Sequence, residues 1–118
     1  MKIERFEDII AWQKAKQLTE ELYTHFQNHK DYGFKNQILR AAVSIMNNIA
    51  EGFERNTNKE LVHFLYIAKG SCGEVRSMLY LAESLKKMPN KPLSDCQQLT
   101  IETSKTLSGF IKSLQPSH

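Results

Sequence analysis

At 118 residues, with 41% hydrophobic and 25% charged side chains, the chain has the size and balance of one globular domain, which excludes a disordered or collagen-like protein. Lys and Arg number 16 against 13 Asp and Glu, a net charge of +3 that is compatible with an acidic or nucleic-acid partner but short of the dense patch that demands one. No segment reaches the roughly 20 apolar residues of a bilayer span, and MKIERFEDII lacks the apolar run and cleavage site of a secretory signal, so a cytoplasmic protein without membrane contact is expected.

The prolines Pro89, Pro92 and Pro116 all fall in the last third of the chain, so long helices are favoured before Met88. The first predicted helix covers residues 6–28. Ala11, Ala15, Leu18, Leu22 and Phe26 recur at three- and four-residue steps, with Trp12, Thr19 and Tyr23 as a second stripe. Glu7 and Asp8 in its first turn complement the positive end of the helix dipole, and the polar run from Asn28 to Gly33 ends it.

The second predicted helix, residues 34–54, carries two adjoining apolar stripes. One is Ile38, Ala42, Ile45 and Ile49; the other is Leu39, Val43, Met46, Ala50 and Phe53. With Ala41 they span an arc of roughly 200°, about twice what one core requires. A second copy of the chain is expected to cover the excess, with Leu39, Val43, Met46 and Phe53 as candidate interface residues.

The third predicted helix, residues 58–87, opens on Thr57-Asn58-Lys59-Glu60, a capping box in which hydroxyl and carboxylate each satisfy an orphan backbone N–H. Its core stripe is Leu61, Phe64, Leu65, Ala68, Ser71, Cys72, Val75, Met78, Leu79, Ala82 and Leu85. Gly70 and Gly73 inside it suggest close approach to a neighbouring backbone. The fourth predicted helix, residues 95–114, follows a second capping box at Ser94-Asp95-Cys96-Gln97 and turns Cys96, Leu99, Thr103, Leu107, Phe110 and Leu114 inward. Short connections between four helices predict an all-α, antiparallel up-down-up-down four-helix bundle in a single domain, 1–118.

Within the second helix, Gln37, Arg40, Ser44, Asn48, Glu51 and Arg55 step along one polar stripe, able to form a hydrogen-bond ladder with a neighbouring helix or simply to face solvent. These residues also carry a family likeness. QILRAAVSIMNNIAEGFER followed by HFLYIAKGSCGE closely resembles the four-helix-bundle proteins encoded in intervening sequences of bacterial 23S rRNA genes, and with the FEDIIAWQKA opening the resemblance spans most of the chain. Gln37, Arg40, Ala41, Ser44, Ile45, Asn48, Ile49, Ala50, Glu51, Gly52 and Arg55, then Phe64, Leu65, Ala68, Gly70, Ser71 and Glu74, match the family pattern. Met46-Asn47 depart from its usual proline or serine and leave the helix less kinked.

The resemblance implies a compact antiparallel bundle that assembles into a ring, commonly a homopentamer, with no enzymatic activity. Relatives in that family, the accessory variability determinants of diversity-generating retroelements, are similar in fold, basic, and associate with a reverse transcriptase and nucleic acid. The partners implied are other copies of the chain, RNA or DNA, or a nucleic-acid enzyme such as a reverse transcriptase. Likeness of fold does not by itself transfer a partner.

For a nucleic-acid surface, Tyr66, Lys69, Arg76, Tyr80 and Lys87 align opposite the core stripe of the third helix, interrupted by Glu83; cations can neutralise phosphates while tyrosines stack on bases. The same row reads equally as a solvated helix face. His25 and His29 stand at i and i+4, but with Asp31 they fall short of four zinc ligands. Glu60-Leu61-Val62-His63 is a single copy of a motif that di-iron bundles require twice. Cys72 and Cys96 fall on apolar positions and are expected as reduced, buried, inert thiols, and Gly70-Ser71-Cys72-Gly73 lacks the spacing of a phosphate loop. No catalytic residue, cofactor or metal is therefore expected. The reading is a non-enzymatic homo-oligomeric bundle that binds nucleic acid or a nucleic-acid-processing protein; the alternative is a protein-only adaptor docking an acidic partner.

Overall fold

The structure, a computed structural model, describes residues 2–116; it is all-α, with no strand among the described residues. A 3₁₀ turn, Phe6–Asp8, precedes four helices: α1 (Ile10–Phe26), α2 (Tyr32–Phe53), α3 (Asn58–Ser84) and α4 (Asn90–Leu114). Each helix packs on the next in sequence and α1 also packs on α4, closing a four-membered arrangement 46 × 23 × 19 Å in extent. Ala11, Ala15, Leu18, Leu22 and Phe26 of α1 meet Ile38, Ala42, Ile45, Ile49, Leu65, Val75, Leu79 and Leu107 in one buried core. Three threonines are buried with them. Thr19, Thr100 and Thr103 each donate their hydroxyl to a carbonyl of the preceding turn, and no buried side-chain nitrogen or oxygen lacks a partner among the described residues.

The first helix starts later than its apolar spacing predicts. Ile9 is buried with an extended backbone, φ −75° and ψ 122°, which breaks the chain between the 3₁₀ turn and α1. Glu7 and Asp8 consequently precede the helix. Gln13 Nε2 donates to Glu7 O at 2.9 Å, and the Phe6 ring meets Trp12 edge-on at 5.3 Å, fixing the turn against α1. The turn also packs on α2, and Ile3, Phe6, Trp12, Met46 and Phe53 all lie partly buried against the core. The chain thus covers part of the broad apolar arc of α2 itself: Leu39 and Ala41 are buried, while Val43, Met46 and Phe53 stay half-buried.

α2 starts two residues before the predicted boundary because Asp31 caps it, accepting from Phe34 N at 3.2 Å. At α3 the Thr57 hydroxyl accepts from Glu60 N and donates to Glu60 Oε2, both at 3.2 Å. The glutamate therefore steadies the threonine and does not reach a backbone N–H. α3 ends at Ser84, short of Lys87. Lys86 adopts φ 55°, its N–H reaching Glu83 O at 3.2 Å and Lys87 N–H reaching Ala82 O at 2.8 Å, a left-handed termination usually given to glycine. Leu85, the C-cap just before it, is 54% exposed and leaves the core stripe.

α4 begins at Asn90, before the predicted capping box. Pro89 is the N-cap without a side-chain cap, and Ser94 lies inside the helix with no capping bond. Pro92 fits there because N–H groups of a first turn have no intrahelical acceptor. Further along, Ile111 faces the core and Phe110 sits at its edge. Gly70 and Gly73 are exposed with nothing within 4 Å of an added Cβ; the close approach falls instead at Gly52, against Leu61 and Phe64 of α3.

Candidate functional site

The polar stripe of α2 runs beside α3 and lines an open groove of about 530 Å³, walled by Gln37, Arg40 and Ser44 on one side and Ser71 and Glu74 on the other. Ser44 Oγ and Ser71 Oγ share a hydrogen bond of 2.9 Å across the helices, and Asn48 Nδ2 donates to Ser44 O and Oγ at 2.8 and 2.9 Å. This is the one rung of the expected ladder that crosses to the neighbouring helix among the described residues. Glu51 pairs at 2.8 Å with Arg55, just past the end of α2, and the Arg55 guanidinium stacks 4.8 Å above the Phe64 ring. Arg40 and Glu74 belong to no ion pair among the described residues and face solvent. Arg40 also borders a second hollow of about 450 Å³ against Tyr23, Lys35, Leu39 and Val43.

The tyrosine and cation row of α3 is only partly assembled as its spacing predicts. Tyr66 and Tyr80 are 52% and 50% exposed, and Arg76 lies 5.7 Å over the Tyr80 ring while donating to Tyr80 Oη at 3.3 Å. Lys87 drops out of the row. Past the left-handed turn, its ammonium binds Asp31 Oδ2 at 2.9 Å, joining the α3–α4 connection to the start of α2. That contact and the Phe34 N–H hold the Asp31 carboxyl below its ordinary value.

In place of Lys87, α4 contributes cations. Lys69 and Tyr66 share a hollow of about 210 Å³ with Ser108, Lys112 and Gln115, and Lys105 is exposed one heptad before Lys112 on the same helical face. Lys69, Arg76, Lys105 and Lys112 form no ion pair among the described residues. Glu83, which interrupts the row in sequence, is engaged by Gln97 Nε2 at 3.4 Å. The carboxylates Glu21, Asp95 and Glu102 line a different hollow between α1 and α4, where Lys14 and Lys91 pair with Glu102 and Asp95. Charge is therefore sorted between two sides of α4. Lys112 meets Tyr66 and Lys69 only through the packing of α4 on α3, a proximity that spacing along one helix does not carry.

The model of the family described as 23S rRNA-intervening sequence protein matches residues 7–109. The chain belongs to this family. Among solved structures, it is similar to a protein of unknown function from the S23 ribosomal protein family of Bacteroides thetaiotaomicron, with 20% identity over 87% of this chain and 99% of that one and a TM-score of 0.82. At that identity the likeness shows the fold. No curated protein sequence matches the chain. Every position of the family pattern from Gln37 to Glu74 falls inside the matched residues, so the Ser44–Ser71 bridge and the groove around it are formed by the part of the chain that carries membership.

Of the remaining candidates in this family member, His29, Glu60 and Cys72 are taken up in local hydrogen bonds. His29 Nδ1 accepts from Asp31 N at 3.0 Å, and no group of three His, Cys, Asp or Glu side chains is placed to hold a metal among the described residues. Glu60 serves the cap of α3. Burial pushes the Cys72 thiol up to about 11 and the Cys96 thiol up to about 12, the latter helped by Glu21 and Asp95 nearby, and Cys72 Sγ donates to Thr100 O at 3.2 Å. No helix among the described residues is long and apolar enough to cross a membrane.

Proposed function

We propose that the protein is a non-enzymatic, self-associating helical bundle whose α3/α4 face engages RNA, DNA or a nucleic-acid-processing protein. One observation carries this reading: Lys69 and Lys112 share a hollow with the exposed Tyr66, Arg76 lies against the exposed Tyr80, and these cations and the exposed Lys105 have no carboxylate partner among the described residues. Unpaired cations release counterions from phosphates, and aromatic rings stack on unpaired bases. The names borne by the family and by its solved relative, which refer to 23S rRNA and to a ribosomal protein, support the same direction. The non-enzymatic part rests on thiols held protonated by burial and on Glu60 and His29 being taken up in local caps and turns. Protonated free thiols suit the cytoplasm.

In this reading successive helices run antiparallel, because the connections 27–31, 54–57 and 85–89 are too short to return along a helix. Copies meet head to tail in a ring of the kind the family resemblance implies, commonly a pentamer. Such a contact joins two different faces. Ile67 and Leu81, exposed along one edge of α3, with the exposed Leu85 at its C-cap, supply the first, and the half-buried Val43 and Met46 of α2 supply the second.

The test combines mass and binding. Light scattering coupled to size exclusion is expected to give a multiple of the 13.7 kDa chain mass, and a labelled RNA is expected to bind at low salt and to be released by the combined Lys69→Ala, Arg76→Ala, Lys105→Ala and Lys112→Ala variant. A stable monomer at micromolar concentration removes the assembly. Binding undiminished in the variant removes the face.

A further inference from the structure

We infer that the hollow between α3 and α4 at Tyr66, Lys69, Ser108, Lys112 and Gln115 holds one nucleotide of a single-stranded nucleic acid, with its phosphodiester between the two ammonium groups and its base on the Tyr66 ring. This rests on the nucleic-acid reading above and adds the form of the ligand and the atoms that select it. The polar groups around the hollow are two ammoniums, a hydroxyl, a phenol and an amide, with no carboxylate among them. Such a set of donors accepts an anion and repels a cation. Neither lysine is committed to an ion pair among the described residues. The Ser108 hydroxyl makes no hydrogen bond among the described residues, whereas Thr100, Thr103, Thr106 and Ser113 of the same helix each donate to a carbonyl of the preceding turn.

Size and polarity narrow the ligand further. A hollow of about 210 Å³ takes a phosphate and the edge of a sugar, which leaves the base outside, at the rim where half of the Tyr66 ring is bare. Stacking there needs an unpaired base, which a duplex does not present. α4 ends at Leu114 beside the hollow, so its terminal carbonyls oppose a dianion more than a monoanionic diester and select against free inorganic phosphate. From Tyr66 the face continues about 21 Å along α3 to Tyr80, where Arg76 already lies against a second ring, so a strand seated in the hollow has a further stacking platform ahead of it.

Fluorescence anisotropy with a labelled single-stranded oligonucleotide, its duplex, inorganic phosphate and polyglutamate separates the outcomes. Single strand is expected to bind more tightly than duplex. Tyr66→Ala should weaken it on the order of tenfold, with Tyr66→Phe close to the parent because the ring is kept. Lys112→Gln should lower the log–log salt slope by about 0.7, and circular dichroism should be unchanged in all three. Equal affinity for duplex, no effect of Tyr66→Ala, or displacement by polyglutamate or inorganic phosphate as effective as by unlabelled oligonucleotide overturns the nucleotide site while leaving the basic face in place. Absence of any nucleic-acid binding at low salt overturns both.

Discussion

Gly52 of α2 lies so close to Phe64 of α3 that a β-carbon on the glycine would stand 2.7 Å from Phe64 Cβ and 3.3 Å from the Leu61 carbonyl oxygen. Neither neighbour is the flexible end of a side chain, so the helices must part to admit a methyl group. Gly52→Ala is expected to destabilise by about 1–3 kcal/mol despite removing a helical glycine. Gly70→Ala and Gly73→Ala, with open space at the same position, should each gain about 0.5–1 kcal/mol. Urea midpoints of the three variants check the contrast, and a stabilised Gly52→Ala would contradict the α2–α3 contact.

Lys86 occupies a left-handed conformation, φ 55°, to end α3. A side chain with a β-carbon pays about 1 kcal/mol there, so Lys86→Gly should raise the melting temperature and Lys86→Val should lower it. A lower melting temperature for the glycine variant would mean that the α3 terminus is built differently.

The two sequence motifs that resemble capping boxes should behave differently. Thr57 bonds Glu60 N, and Thr57→Ala should cost about 1 kcal/mol. Ser94 lies within α4 and caps nothing, so Ser94→Ala should be neutral or stabilising by a few tenths of a kcal/mol. Denaturant titration of both variants distinguishes them.

Burial raises both thiols above the ordinary value of 9.0, to about 11 for Cys72 and about 12 for Cys96. Because folding holds the protonated form, the stability they contribute is fully present below pH 9 and is lost as pH rises through 11 to 12. Native protein should resist a thiol reagent at neutral pH and react on unfolding in urea. Rapid labelling of the native chain would contradict the burial.

The four helices were legible because apolar residues repeat at helical spacing over long stretches free of proline, and the Thr57 cap because its hydroxyl and carboxylate are three residues apart. The boundaries that differ have physical causes that periodicity does not carry. Ile9 is buried in an extended conformation, Lys86 takes a glycine's place, and Pro92 is tolerated in a first turn, so none of these ends bears its usual residue. Leu85 kept the right phase for the core but lies past the end of its helix. Within the candidate surface, Tyr66, Lys69, Arg76 and Tyr80 could be grouped from spacing on one helix. Lys105 and Lys112 could not, since only the packing of α4 on α3 brings that helix beside them. Lys87 leaves the row for the converse reason: its partner, Asp31, is 56 positions away and draws it to the start of α2.

The salt dependence of single-strand binding tests the α3/α4 face most directly. Four unpaired cations predict that log affinity falls with log salt concentration at a slope of about −3 for the parent protein, and that the slope approaches zero when Lys69, Arg76, Lys105 and Lys112 are all alanine. An affinity indifferent to salt, or an identical slope in the four-alanine variant, would contradict the account.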